Sequence, residues 1–401
     1  MALSRRTFVT AAAATALAKP SWRLPLTELP AASDARFDPW LEVDRAALVE
    51  NVRVISRLVG ARPILAVIKN NAYGLGLTTV AALLEPLPEI AGLAVVKTSA
   101  ALELREAGIR KPVLLMGLFS DEDGPELISR EVHLSLCTED AAERVARATA
   151  RAGRPARAHV YLDTGMSRMG VPYYKALPWL LEVTRSEGVR IDGTFMGFTE
   201  DPDFDREQLR RFTAVASEAR DRGANLGVLH AASSNAVFNF PEAYLDMVRP
   251  GIALYGAYPS DAGIERGIAE LRPAFRLRAR VVRVQRLRPG DSVSYGRNYI
   301  AETPTWIATL PVGHSDGYTR KAVDGARVLI NGRLYPVIGA VSASHAIVEL
   351  GEEATAAIGD VATLVGPDDP AIHPNALAAA TGTSVYDVLM HLNAELPKRM
   401  V

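Results

Sequence analysis

The chain has 401 residues, 48% of them hydrophobic and 23% charged, which is an ordinary globular balance with enough apolar content for a large core. At roughly 150 residues per domain, this length suggests two or three domains. A formal net charge of −1 leaves no basic excess to draw nucleic acid or anionic lipid. One cysteine, Cys137, excludes an intrachain disulfide and a cysteine-rich zinc site. The histidines show no close ligand spacing and no HExxH motif occurs, so no metal is expected.

The chain opens with "SRRTFVTAAAATALA". Arg5 and Arg6 precede an apolar, alanine-rich run and a small-x-small site, the layout of a cleavable signal of the twin-arginine type over residues 1–18. The apolar run is too short for a spanning helix, which needs about 20 apolar residues. The expectation is a periplasmic or secreted protein that meets the membrane only through the export machinery. Residues 19–37, rich in proline and small residues, read as a linker.

"DPWLEVDRAALVENVRVISRLV" predicts a strand near residues 40–43 and an amphipathic helix capped by Asp44. Strand-like runs then alternate with helix-period runs: "PILAVI", "GLAVV", "VLLM", "VHLSL", "AHVYLD", "IDGTFMGF", "GVLHAA" and "DMVRPG". Eight such strands suit a (β/α)8 TIM barrel over residues 38–269, a fold of about 250 residues. An open doubly wound sheet is the alternative, but no GxGxxG follows the first strand. After about residue 270 the pattern becomes short alternating strands parted by "PGD", "NGR" and "GD" turns. The fold class is therefore α/β plus β, with a mainly β C-terminal domain over residues 270–401. "SVYDVLMHLNAEL" reads as a closing helix.

The first barrel strand runs into "AVIKNNAYGLG", which places Lys69 at its C-terminal end, where barrels carry their chemistry. A lysine of lowered pKa there can form a Schiff base, and pyridoxal 5'-phosphate is the commonest partner for one. "HAASSN" and "RPGIALYG" supply small residues at two later strand ends, where a phosphate could approach the backbone.

"AVIKNNAYGLG", "YLDTGMSRMG", "HAASSN", "VRPGIALYG", "VSYG" and "LPVGHSDGYTR" occur in the order found in alanine racemases, and from about residue 38 onward the chain resembles that family. The resemblance implies a pyridoxal-phosphate racemase that interconverts L- and D-amino acids by two-base α-proton transfer, as a homodimer with shared sites. Under it, Lys69 would hold the cofactor and act as one catalytic base. Tyr295 would act as the other, from the partner subunit and on the opposite face. Tyr73, Ser234, Gly251 and Ile252 would bind the phosphate. Arg249 would face the ring nitrogen with His230 behind it. Arg168 would stand beside the phenolic oxygen, near the substrate carboxylate. The strand near residues 40–43 would join the C-terminal domain.

Several positions depart from the family pattern. Gly197 stands where a histidine orients the catalytic tyrosine, and Tyr161 where a modified lysine precedes "DTGM". Ala343 and Ser344 replace a Met-Asp pair at the substrate carboxylate. His314 replaces a tyrosine at the mouth, and Met400 replaces a terminal tyrosine. Ala343 and His314 are the expected substrate-side residues. Three functions fit: a racemase with a remodelled pocket, a pyridoxal-phosphate lyase or eliminase on the same scaffold, and a non-catalytic exported cofactor-binding protein.

Overall fold

A computed structural model describes residues 36–401. The expected signal peptide over 1–18 and nearly all of the 19–37 linker lie outside the described residues. Within them, no helix is long and apolar enough to cross a membrane.

The strand Trp40–Val43 leads into the helix Arg45–Leu58. Asp44 caps this helix, its carboxylate accepting from the Ala47 N–H at 2.9 Å. Ala47, Leu48, Asn51, Val52 and Ile55 recur at helical spacing and are its buried stripe.

Parallel strands then alternate with helices. Ile64–Val67, Ile90–Val95, Val113–Leu115, Val132–Leu136, Ala156–Asp163, Val189–Phe195 and Val228–His230 pair in that order. Most of their residues are buried, as expected for strands covered on both faces. The eighth expected strand, "DMVRPG", is not a ladder strand. Its link to the first strand is an isolated bridge, Ile64 to Val248. It still closes the ring, because Leu65 N–H donates to Val248 O and Val67 N–H to Pro250 O on one side. On the other side Asp246 N–H donates to Leu229 O and Arg249 N–H to Ala232 O. Pro250 has no N–H to offer, so it joins this pairing only through its carbonyl.

The C-terminal part is a nine-stranded sheet. Its order is Arg283–Leu287, Thr305–Leu310, Ala346–Gly351, Arg333–Ile338, Arg327–Ile330, Val361–Val365, Phe275–Arg280, Trp40–Val43, Lys398–Met400. Trp40–Val43 is thus a strand of this sheet, antiparallel to Phe275–Arg280 and parallel to Lys398–Met400. The expected closing helix is shorter than its sequence suggests and covers Val385–Met390. The chain turns at Asn393, whose N–H donates to Asp316 O and whose carboxamide accepts from the Glu395 N–H.

Candidate active site

Barrel strands alternate between an outer face packed on helices and an inner face lining the lumen. Leu65, Val67, Ala94, Leu114, Tyr161, Phe195 and Met247 share one apolar cluster on the inner face. Lys69 follows Val67 at period two and ends the row at the barrel mouth. Burial lowers its pKa, and the nearby Arg168 guanidinium lowers it further.

The residues after Lys69 take an uncommon path. Asn70, Asn71, Ala72 and Tyr73 all have left-handed backbones, with φ between 51 and 56°. Such a conformation costs roughly 1–2 kcal/mol per residue outside glycine, and asparagine tolerates it best. Local bonds hold the turn. The Asn71 carboxamide accepts from the Leu77 N–H at 2.8 Å, and Gly76 N–H donates to Asn71 O at 3.0 Å. The Val385–Met390 helix closes over it so tightly that a Cβ on Gly74 would meet Leu389 O at 2.7 Å.

This turn lays the Tyr73 ring on Tyr255, with centroids 4.9 Å apart, and points its hydroxyl at the backbone of Gly251. A Cβ on Gly251 would lie 2.2 Å from Tyr73 Oη. Ser234 Oγ accepts from the Gly251 N–H at 2.9 Å and the Ala253 N–H at 3.3 Å, which leaves its own proton to donate. Among the described residues the Tyr73 hydroxyl and the Ile252 N–H have no hydrogen-bond partner. Donors converging where no side chain fits form a cradle for a phosphate. The four expected phosphate residues are therefore together.

Arg249 stands two residues before Gly251 on the segment that closes the ring, 8% exposed. It donates to His230 O at 2.5 Å, His230 Nδ1 at 3.0 Å, Met196 O at 2.6 Å and Ala231 O at 3.2 Å. Those contacts use both terminal nitrogens and leave Nε without a partner among the described residues, as a donor facing a ring nitrogen requires. Burial brings the Arg249 pKa down to about 10. The donor set fits a pyridoxal phosphate at both ends, phosphate and ring nitrogen.

His230 does not line the mouth. It is fully buried and forms one end of a histidine row that sequence reading missed. His230 Nε2 is 2.8 Å from His159 Nδ1, and His159 Nε2 is 3.4 Å from His133 Nδ1. Beyond it, His133 lies 3.6 Å from Asp192, which pairs with Arg157 and Arg190. Burial lowers all three: His159 to about 3, helped by His133, His133 to about 4, helped by Arg157, and His230 well below its ordinary value, helped by Arg249. The signal was present as alternation. Gly193, Phe195 and Gly197 occur at period two, and Gly193 pairs in register with His159. A Cβ on Gly193 would fall 2.5 Å from the His159 ring.

Arg168 is exposed and makes no hydrogen bond or ion pair among the described residues. Asp163 shapes the loop that carries it, accepting from the N–H groups of Gly165, Met166 and Ser167 at 2.9–3.0 Å.

The remaining expected residues sit in the C-terminal sheet region. Tyr295 is 77% exposed, on a loop where Ser294, Gly296 and Arg297 all have positive φ. His314 Nε2 lies 3.0 Å from Arg320, and its N–H donates to Ser342 O. The Ala343 carbonyl accepts from the N–H and hydroxyl of Ser315. Ser344 is exposed, and Met400 pairs with Val43 in the sheet.

Residues 43–259 match the family described as alanine racemase, N-terminal domain, and residues 274–400 match alanine racemase, C-terminal domain. An alanine racemase of Desulforamulus reducens is 34% identical over 366 residues, covering 90% of this chain and 98% of its own. One from Desulfovibrio desulfuricans is 35% identical over 366 residues, covering 90% and 97%. Among solved structures, alanine racemase of Clostridium difficile superposes with a TM-score of 0.84 at 28% identity, covering 91% of this chain and 96% of its own. That of Streptomyces coelicolor superposes with a TM-score of 0.84 at 29% identity, covering 92% and 99%. The lysine at the barrel mouth, the phosphate cradle and both domain matches lead to one assignment: the chain belongs to the alanine racemase family, whose members use pyridoxal 5'-phosphate.

Proposed function

We propose that this protein is an exported amino-acid racemase that uses pyridoxal phosphate and has a pocket altered from that of alanine racemases. The observation that carries the reading is Lys69, made less basic by burial and by Arg168, at a barrel mouth beside phosphate donors that have no partner among the described residues. When bound, the cofactor draws electrons from the α-carbon of the amino acid. Lys69 takes or returns the α-proton on one face, and its lowered pKa lets its amine serve as a base. Tyr295 does the same on the other face. Its 77% exposure on a C-terminal loop supports service to the site of a second copy, in a homodimer. Tyr73, Ser234, Gly251 and Ile252 hold the phosphate, and Arg249, braced by His230, holds the ring nitrogen. Arg168 stands at the substrate carboxylate.

Alanine is expected to be a slow substrate. Gly197 offers no side chain to orient Tyr295, and a misplaced general base loses about 10²–10⁴-fold in rate. Ala343 and Ser344 leave room beside the substrate for larger side chains, and His314 adds an imidazole on the C-terminal side. The two-domain division near residue 270 and export through Arg5 and Arg6 belong to the same reading. A twin-arginine route carries folded protein, so the cofactor can be loaded before export.

Incubation with single L-amino acids in heavy water tests the function. The reading expects the D-enantiomer carrying deuterium at the α-carbon. Keto acid or aldehyde as the product would make the protein a lyase, and no exchange with any amino acid would make it a binding protein. Changing Arg5 and Arg6 to lysine should hold the precursor in the cytoplasm, and unchanged export would remove the localisation from the proposal.

A further inference from the structure

Tyr161 lies on the inner face of Ala156–Asp163, two residues before Asp163 and seven before Arg168. The family resemblance gives it no role, since family members usually carry a lysine there. Its ring is held by two neighbours. Phe195 stacks on it with centroids 4.3 Å apart and planes tilted by 25°. A Cβ on Gly170 would lie 3.1 Å from Tyr161 Cδ2, so that backbone also confines the ring. The residue is 7% exposed.

The hydroxyl of this fixed ring makes no hydrogen bond to any described residue. It projects over Gly197. A Cβ built on Gly197 would be 3.4 Å from Tyr161 Oη and 4.0 Å from the Arg168 guanidinium. The phenol and the guanidinium therefore flank one small space beside Gly197, with Met166 Sδ, 3.5 Å from the same point, as a third wall. Arg168 likewise has no anionic partner among the described residues, and it acts electrostatically on Lys69, the proposed base. A neutral O–H donor and a cationic N–H donor that converge on one gap, both unpaired, suit a carboxylate.

We propose that Tyr161 is a substrate-contacting residue whose hydroxyl donates to the α-carboxylate of the bound amino acid, alongside Arg168. This rests on the racemase reading for the identity of the substrate. The rigid ring supplies a donor whose geometry is set before the substrate arrives. Gly197 and Tyr161 are then one device, in which the first leaves room and the second fills it with a hydroxyl. A Cβ at 197 would make ordinary contact with the phenol, and a side chain that reaches further would occupy the gap.

Tyr161→Phe removes only the hydroxyl and keeps the stacked ring. The test measures binding of propionate to the cofactor-loaded protein, read by calorimetry and by perturbation of the cofactor's visible band. A primary amine without a carboxylate, propylamine, is the control. Propionate affinity should fall about tenfold or more, the range of a hydrogen bond to a charged group. Propylamine affinity and the dissociation constant of the cofactor should stay the same, and KM for the amino acid should rise more than kcat falls. Propionate affinity equal to that of the wild type would overturn the proposal. So would failure of the variant to bind cofactor, because Tyr161 would then support the cofactor and not the substrate. If no amino acid is racemised by the wild type, yet propionate binding still depends on Tyr161, the racemase reading fails and the carboxylate site stands.

Discussion

Gly251→Ala tests the phosphate cradle with a single methyl group. The test is read through packing, since the φ of Gly251 is −121°, outside the left-handed region. The added Cβ would sit 2.2 Å from Tyr73 Oη and 3.0 Å from Cζ, more than an ångström inside an ordinary 3.4 Å contact with the hydroxyl. Tyr73 has little freedom to yield. It is 3% exposed, its ring packs on Tyr255 with centroids 4.9 Å apart, and its backbone is part of the left-handed turn. Overpacking of this kind costs about 1–3 kcal/mol. Moving the hydroxyl also removes a hydrogen bond to a charged group, worth about 1.5–3 kcal/mol. With tenfold per 1.4 kcal/mol, the dissociation constant of pyridoxal phosphate should rise by about 10- to 100-fold. The assay is titration of the cofactor-free protein with pyridoxal phosphate, followed by the visible band. Tyr73→Phe removes the atom in the worst collision. The double variant should therefore bind no more weakly than Gly251→Ala alone. Cofactor affinity unchanged in Gly251→Ala would refute both the cradle and the place of Tyr73 in it.

Mixing Lys69→Ala chains with Tyr295→Phe chains should restore activity, since one of the two shared sites in a heterodimer is intact. Confirmed subunit exchange without recovered activity would show that Tyr295 does not act across the interface. Arg249→Leu strips donors from three buried carbonyls and His230. It should destabilise the cofactor-free protein by at least about 3 kcal/mol in urea, and a loss under 1 kcal/mol would contradict that bonding. The three row histidines stay neutral when folded but take up protons when unfolded below their ordinary pKa of about 6.5. Stability should therefore fall as pH drops from about 6.5 toward 4, and His133→Gln should flatten that slope by about 1.4 kcal/mol per pH unit. An unaltered slope would mean that His133 is not held neutral. A chiral assay of D-product across L-amino acids should find alanine slow beside larger substrates, and fast, exclusive alanine turnover would show that the departures at Gly197 and Ala343 are compensated.

Much of the plan could be read from the sequence, because periodicity and turn chemistry are local. The barrel strands, the capped first helix and the switch to a mainly β domain all follow from patterns a few residues long. The eighth strand is only an isolated bridge at Ile64 and Val248, because its bonds to the neighbouring segments are too few to make a ladder, which a short apolar run cannot reveal. The closing helix was overextended because the turn at Asn393 depends on Asp316, far away in the chain. Lys69, Tyr73 and Arg249 were legible through ordered motifs. The left-handed path that joins Lys69 to Tyr73 was not, since packing against the distant Val385–Met390 helix adds to the local bonds that hold it. The histidine row and the Tyr161–Gly197 pair were hidden for a similar reason. Each joins residues on different strands, and His159 and Tyr161 gain meaning only when Gly193 and Gly197 are seen to make room for them.

The central claim is that Lys69 carries the cofactor through its amine, and borohydride reduction tests it most directly. The purified protein loaded with pyridoxal phosphate should show a visible band that borohydride abolishes. Peptide mass mapping should then find the reduced pyridoxyl group on the peptide containing Lys69, and Lys69→Ala should acquire neither band nor adduct. A protein that stays colourless with excess pyridoxal phosphate, or an adduct on another lysine, would contradict the account.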